Sequence, residues 1–284
     1  MSETRRAEFD VAGGVQLVAD VLGDGARGVV LLAHGGGQTR HSWSGTARRL
    51  ASEGWQTVAL DLRGHGESSW AGDGDYGVDR FATDLVEVGG RFCDRPHLIG
   101  ASLGGLAGLV AASSVDPGAF RSLTLVDIVP RTDPSGVAKV MGFMNASLEE
   151  GFETLEAAAD AITAYLPHRP RPTDLSGLNK NLRQGEDGRY RWHWDPRFAT
   201  GVRRGRGAYD VDALEDRTAA ITIPVHLIRG RLSELVTREA AEAFVSKLPN
   251  ARLTDVAGAA HMIAGDRNDV FTAAVIDFLL EQDP

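Results

Sequence analysis

The chain has 284 residues, 43% of them hydrophobic and 24% charged, which admits one large domain or two small ones and excludes the disordered and collagen-like classes. Thirty Lys and Arg stand against 39 Asp and Glu, a formal charge of -9 without the basic footprint that a phosphate backbone requires, so no nucleic-acid partner is expected. The single cysteine, Cys93, cannot form an intramolecular disulfide, and no Cys/His cluster has zinc-ligand spacing. The charged opening MSETRRAEFD is not followed by the apolar stretch of a signal peptide, and no apolar run reaches the ~18 residues of a membrane span. The expectation is a cytoplasmic protein with no metal, no cofactor and no membrane contact, its oligomeric state open.

In chain order, Glu8 to Leu22 holds two short alternating stretches around Gly13-Gly14 and predicts a hairpin. Gly28 to Ala33, Trp55 to Asp61, Pro96 to Ile99 and Leu123 to Val126 are short apolar runs of the texture that suits strands buried on both faces. Helical segments separate them at Ser44 to Glu53, Asp79 to Phe92 and Leu103 to Ser114, so the pattern predicts a parallel sheet of the α/β class. From Arg131 to about Ala220 the alternation stops. Leu148 to Leu166 has helical spacing, the proline-rich PHRPRP follows, and Tyr165, Tyr190, Tyr209, Trp192 and Trp194 gather there. This stretch reads as a mostly helical insertion, 131–220, lying over a core made of 1–130 and 221–284. Strand, helix, strand and helix then resume at Ile223 to Ile228, Arg238 to Leu248, Arg252 to Val256 and Asn268 to Leu280. No repeat period or low-complexity segment interrupts the pattern.

Gly100-Ala101-Ser102-Leu103-Gly104 follows one predicted strand and opens a helix, the context in which a serine on a sharp turn becomes an exposed nucleophile. The bland alternative is a glycine-rich helix cap with an N-cap serine. His34-Gly35-Gly36-Gly37 follows another strand, and a backbone N–H there can approach a substrate oxygen because no side chain blocks it. The expected oxyanion donors are the N–H groups of Gly36 and Leu103. A phosphate-cradling loop is disfavoured, since the run matches neither glycine-rich nucleotide motif.

A serine nucleophile requires a base. Of eight histidines, His34 belongs to the glycine loop, His97 and His226 fall inside predicted strands, and His65 suits a structural hydrogen bond in the turn DLRGHGES. His41, His168 and His193 are candidate substrate contacts. His261 lies between the last predicted strand and the last helix, which fits the chain order nucleophile, acid, histidine. Two carboxylates sit at strand ends: Asp127 closes LTLVD, and Glu234 follows HLIRG. The usual late position of the acid favours Glu234 and keeps Asp127 as the alternative.

Together HGGG (34–37), DLRGHGES (61–68), GASLGG (100–105) and VAGAAHM (256–262) resemble the α/β-hydrolase superfamily, over about two thirds of the chain. The likeness is to its serine-nucleophile esterase, cofactor-free haloperoxidase and carbon-carbon hydrolase branches. It implies an eight-stranded, mostly parallel sheet flanked by helices, an inserted helical cap, and a pocket between cap and sheet. Epoxide hydrolases and haloalkane dehalogenases resemble the chain in fold but use aspartate where Ser102 stands. The departure from the pattern is Glu234, where most such relatives carry aspartate.

The expected activity is therefore cofactor-independent hydrolysis of a small-molecule carboxylic ester or lactone, with carbon-carbon cleavage or perhydrolysis as variants of the same machinery. A non-catalytic small-molecule receptor with this fold is the rival. Trp192 and Trp194 share one face of an extended segment and, with Trp43, Phe143 and Met144, are candidate contacts to an apolar or aromatic substrate; the competing role for these aromatics is to anchor the insertion.

Overall fold

The computed structural model describes residues 3–167, 169, 171, 173–203, 209–263 and 268–282. Strands β1 (Arg5–Val11) and β2 (Val15–Leu22) form the expected antiparallel hairpin, with Gly13 and Gly14 in the left-handed region at φ 80° and 69°. Then come β3 (Val29–Ala33), β4 (Gln56–Leu60), β5 (His97–Ala101) and β6 (Ser122–Val126). Two three-residue strands, β7 (Leu182–Gln184) and β8 (Tyr190–Trp192), pair only with each other. β9 (Val225–Gly230) and β10 (Ala251–Val256) complete one eight-stranded sheet in the order β1-β2-β4-β3-β5-β6-β9-β10, parallel from β4 to β10.

The helices are α1 (Ser44–Ser52), α2 (Val78–Gly89), α3 (Leu103–Val110), α4 (Pro134–Asn145), α5 (Leu155–Tyr165), α6 (Pro196–Arg203), α7 (Val211–Thr218), α8 (Arg238–Val245) and α9 (Asn268–Gln282). None among the described residues is long and apolar enough to cross a membrane. The central strands are apolar throughout because both faces are covered. Val30, Leu32, Ile99, Val126 and Ile228 point to one side, where Leu50 of α1 and Phe271, Val275 and Leu279 of α9 meet them. Leu31, Leu98, Leu123, Leu125 and Leu227 point to the other, against Phe81 and Leu85 of α2 and Leu109 of α3.

The chain leaves the sheet after Val126 and returns at Val225, so the elements α4 to α7 and β7–β8 are all inserted between neighbouring strands. The helical spacing over Leu148 to Leu166 yields a helix only from Leu155. Ser147 and Gly151 adopt left-handed backbone at φ 54° and 68°, and Phe152 exchanges backbone hydrogen bonds with Tyr190 at 2.7 and 2.8 Å instead. Thr154 then starts α5 by accepting from the Ala157 N–H.

Trp43 departs from the sequence expectation. It is 1% exposed and stacks toward Phe271 with ring centroids 6.0 Å apart, in the core layer beneath α1 and α9. Its place just before α1 turns the indole into the helix-packed face of the sheet, so it fills core space and is no substrate contact.

Candidate active site

The chain runs from β3 outward to β4 and then back across to β5 on the other side of β3. Crevices form at the carboxyl ends of strands where the winding direction reverses. Ala33 pairs with Gly100, Ala101 with Val126, Val126 with Ile228, and Gly230 with Val256. The glycine loop, Ser102, Asp127, the turn at 231–236 and the loop bearing His261 therefore leave the same edge of the sheet side by side.

Ser102 sits between β5 and α3 at φ 45° and ψ -111°, a sparsely populated backbone state that side chains adopt only when the surroundings enforce it. Its amide donates to Val126 O at 3.1 Å. A Cβ on Gly104 would lie 2.4 Å from Ala33 O, and one on Gly100 2.5 Å from the Gly104 carbonyl carbon. Both positions must be glycine for strand and helix to close this tightly, and the closure lifts Ser102 at the head of the α3 dipole. A Cβ placed on Gly35 would lie 3.3 Å from Ser102 Cβ, so serine and glycine loop are in contact distance.

His261 Nδ1 lies 2.7 Å from Asp127 Oδ2. Asp127 is fully buried and has left-handed backbone at φ 52°. Its carboxylate also accepts from Gly230 N–H at 3.1 Å and Ser233 Oγ at 2.5 Å. The Ser233 hydroxyl in turn accepts the Leu235 and Val236 amides, both at 3.1 Å. Two donors, the Gly230 amide and the Ser233 hydroxyl, thus fix the carboxylate and present Oδ2 to the imidazole.

The preference for Glu234 as the acid is overturned by this geometry. Ser233 turns inward to Asp127, so its neighbour Glu234 turns outward, where it is 47% exposed and pairs with Lys139 of α4 at 2.6 Å. β6 and β9 are adjacent and parallel, so an acid at the end of either strand reaches the same place. Here the earlier strand carries it and the later turn supplies the serine that braces it.

In the glycine loop, the Gly35 N–H donates to Gln38 Oε1 at 3.0 Å, the Gly37 N–H to His65 Nε2 at 3.1 Å, and the Gln38 N–H to Gly35 O at 3.1 Å. The Gly36 N–H and, at the first turn of α3, the Leu103 N–H have no hydrogen-bond partner among the described residues. Two backbone donors, one in the glycine loop and one directly after Ser102, are thus left without a protein partner among the described residues.

The inserted segment lies over this loop. A Cβ on Gly36 would meet Phe198 at 3.4 Å and Met144 Sδ at 3.7 Å, and one on Gly37 would meet Met144 Cε at 3.2 Å and Trp194 at 3.3 Å. Met144 and Trp194 are thus brought to the glycine loop. Phe198 joins them without having been singled out in the sequence, since one apolar residue in α6 carries no local signal. Trp192 stacks on Trp194 at 4.8 Å, meets Phe152 edge-on at 5.2 Å and donates to Ala146 O, which makes it an internal tie of the insertion. Phe143 stacks on Tyr165 at 4.2 Å, one layer back from the loop.

On the other side of His261 a narrow cavity of about 20 Å³ is lined by Gly136, Val140, Tyr165, Leu166, Glu234, Leu235 and Met262, room for about one water. Burial and the Glu234 charge push the Tyr165 hydroxyl up to about 12, so it stays a neutral donor. Arg169 donates to Met262 O at 3.1 Å, bridging the insertion to the residue after His261.

The other histidines lie elsewhere. His97 and His226 are core residues paired with Ser122 at 2.7 Å and Thr254 at 2.9 Å. His41 faces Asp20 at 3.8 Å. His168 lies outside the described residues. His34, His65 and His193 are buried together behind the glycine loop. No group of three or more His, Cys, Asp or Glu that could hold a metal occurs among the described residues.

A strained serine before a helix, a histidine on a buried aspartate and a glycine loop along one edge of such a sheet define a class, and residues 28–267 match the alpha/beta hydrolase fold family. The chain belongs to that family and is a hydrolase. It is 29% identical over 223 residues to an esterase of Mycobacterium tuberculosis, covering 73% of this chain and 67% of that protein. It is 28% identical over 245 residues, 82% of each chain, to a 3-hydroxybutyrate-oligomer hydrolase of Cupriavidus necator. A solved structure of the M. tuberculosis esterase superposes with a TM-score of 0.77 over 98% of this chain and 92% of that one, at 26% identity.

Proposed function

We propose that the protein is a cofactor-independent serine hydrolase that cleaves a carboxylic ester of a small, apolar or aromatic molecule through an acyl-enzyme. The observation that carries this reading is the His261–Asp127 bond at the same strand edge as Ser102. Asp127 holds the proton of His261 on Nδ1, leaving Nε2 free to take the Ser102 proton as Oγ attacks the ester carbonyl. The developing oxyanion accepts from the Gly36 and Leu103 amides. His261 then returns the proton to the departing alcohol, and the same base activates the water that releases the acid and regenerates Ser102.

Met144, Trp194 and Phe198, which crowd the glycine loop, support an apolar acyl or alcohol group and a capping role for the inserted segment. The names of the two relatives, an esterase and an oligomer hydrolase, support an ester as the bond. The test is a series of p-nitrophenyl esters of rising chain length together with a fluorophosphonate probe. Wild-type protein is expected to turn over short esters and to take the label, and Ser102→Ala to lose both, with activity down by roughly 10³-fold or more. Labelling retained by the alanine variant overturns the assignment of the nucleophile.

A further inference from the structure

Behind the glycine loop three buried imidazoles stand in a row, His34 to His65 at 5.2 Å and His65 to His193 at 5.9 Å between ring centroids. Each accepts a backbone N–H. His34 Nε2 takes the Leu62 amide at 3.0 Å, His65 Nε2 takes Gly37 at 3.1 Å, and His193 Nδ1 takes Gly66 at 2.7 Å. His34 and His65 belong to the core, whereas His193 belongs to the insertion, between Trp192 and Trp194.

The contacts around His193 tie the insertion to the turn at 61–68. The Asp195 amide donates to Gly64 O at 2.9 Å, Tyr76 donates to the Asp195 carboxylate at 2.6 Å, and Arg183 donates to Gly66 O. His193 Nε2 is buried without a hydrogen-bond partner. His65 therefore holds Gly37 from the core, while His193, from the insertion, holds the amide of Gly66 next to His65 in the chain.

The consequence for the site lies in the Gly36–Gly37 peptide. With the Gly37 N–H held by His65 and φ at 74°, the plane of the Gly36–Gly37 peptide is fixed directly after the Gly36 N–H, which stays unpaired. We propose that His65 and His193 are positioning residues through which the inserted segment sets the oxyanion loop, so that the Gly36 amide faces the ester only when the insertion is docked. This inference rests on the serine-hydrolase reading for its effect on rate, but the hydrogen-bond arrangement is separable from it.

The arrangement requires neutral rings of opposite tautomer. His65 donates from Nδ1 to Arg63 O at 2.9 Å and accepts at Nε2. His193 accepts at Nδ1 and so carries its proton on Nε2. Burial keeps the imidazoles uncharged, holding His34 at about 4 and His65 at about 3, and His193 well below the ordinary histidine range. The nearest carboxylates do not offset this, because Asp61 is paired with Arg40 and Asp195 with Arg197.

Two measurements on the full chain test the proposal. Imidazole ¹⁵N NMR of wild type at pH 7 is expected to show His65 protonated on Nδ1 only and His193 on Nε2 only; a cationic ring or the reverse tautomer at either position overturns the proposal whatever the activity. Steady-state kinetics follow with His65→Leu, which removes the acceptor, and His65→Gln, which keeps one at the position of Nε2, paired with His193→Leu and His193→Asn. Each Leu variant is expected to lower kcat roughly 10- to 100-fold with KM nearly unchanged, the size of a misplaced reacting geometry, and Gln or Asn to recover most of the loss. Equal losses in Leu and amide variants of matched thermal stability, or a loss confined to KM, refute it. Correct tautomers in a wild type that neither turns over esters nor takes a fluorophosphonate would refute the serine-hydrolase reading and leave the anchoring of Gly37 standing.

Discussion

The two flanks of the Ser102–His261 line are built differently. On the glycine-loop side, His34, His65, His193, Trp194 and Phe198 are all at most 4% exposed, and backbone amides end on ring nitrogens. On the cleft side, Tyr165, Leu166, Glu234 and Met262 border a cavity of about 20 Å³, and one of these lining residues, Glu234, joins core to insertion through its half-exposed pair with Lys139. Buried hydrogen-bonded groups are stiff and intolerant of loss, whereas exposed ion pairs contribute little and break readily. The contrast separates a flank tied through buried hydrogen bonds from a flank tied by an exposed ion pair.

The largest expected effect comes from the two carboxylates of the cleft side. Asp127→Asn keeps the size of the side chain but removes the charge that holds His261, and turnover is expected to fall by ~10⁴-fold, as for the equivalent change in a serine protease. Glu234→Gln is expected to change kcat by less than about threefold, since it breaks only an exposed pair. Ester turnover by both variants, with circular dichroism to show that they fold, checks this; the opposite ranking would return the acid to the later strand.

Next in size is substrate selectivity. Trp194→Ala removes the indole that touches Gly37 and should weaken the preferred ester by ~1 to 3 kcal/mol in kcat/KM, reordering a chain-length series. Phe143→Ala, one layer back, should lower stability without reordering it. Identical rankings in both variants would erase the distinction between loop contact and internal tie.

A pH effect on stability should belong to the glycine-loop side. His34 at about 4 and His65 at about 3 lie below the ~6.5 of an unfolded histidine, so the unfolded chain binds more protons at acid pH. The stabilisation is complete above pH ~6.5 and is lost as pH falls toward those folded values. The urea midpoint should drop between pH 7 and 5, and drop less in His65→Gln. An unchanged slope in that variant would remove His65 from the cause.

The smallest effect is expected at the Lys139–Glu234 pair. Lys139→Ala should alter stability by no more than ~1 kcal/mol while lowering KM for bulky esters, because a tie between insertion and core is gone. Unchanged KM for large and small esters alike would place entry elsewhere.

Backbone constraints were legible in the sequence because they act locally. The strained turn at Ser102 needs glycine on both sides, and the motif displays those glycines; the hairpin at Gly13-Gly14 and the doubly buried strands show themselves in the same way. Besides the choice of Glu234, two readings failed where the answer depended on what a residue meets from far along the chain. Trp43 sits beside the glycine loop in sequence, yet α9, more than 200 residues on, draws its ring into the core. Helical spacing before Leu155 was overridden by pairing between Phe152 and Tyr190.

By itself the sequence determined the α/β architecture, the elbow at Ser102, the glycine loop and a histidine in the last strand-to-helix loop, since periodicity, glycine placement and chain order each follow from short-range sterics and burial. Only the tertiary structure decided which carboxylate meets His261, because neighbouring parallel strands deliver their ends to one place and a single residue of phase in the 231–236 turn chooses Ser233 over Glu234 to face inward. It also decided which aromatics of the insertion reach the glycine loop, and that buried histidines join the two, because those contacts link residues more than 100 positions apart that no local pattern relates.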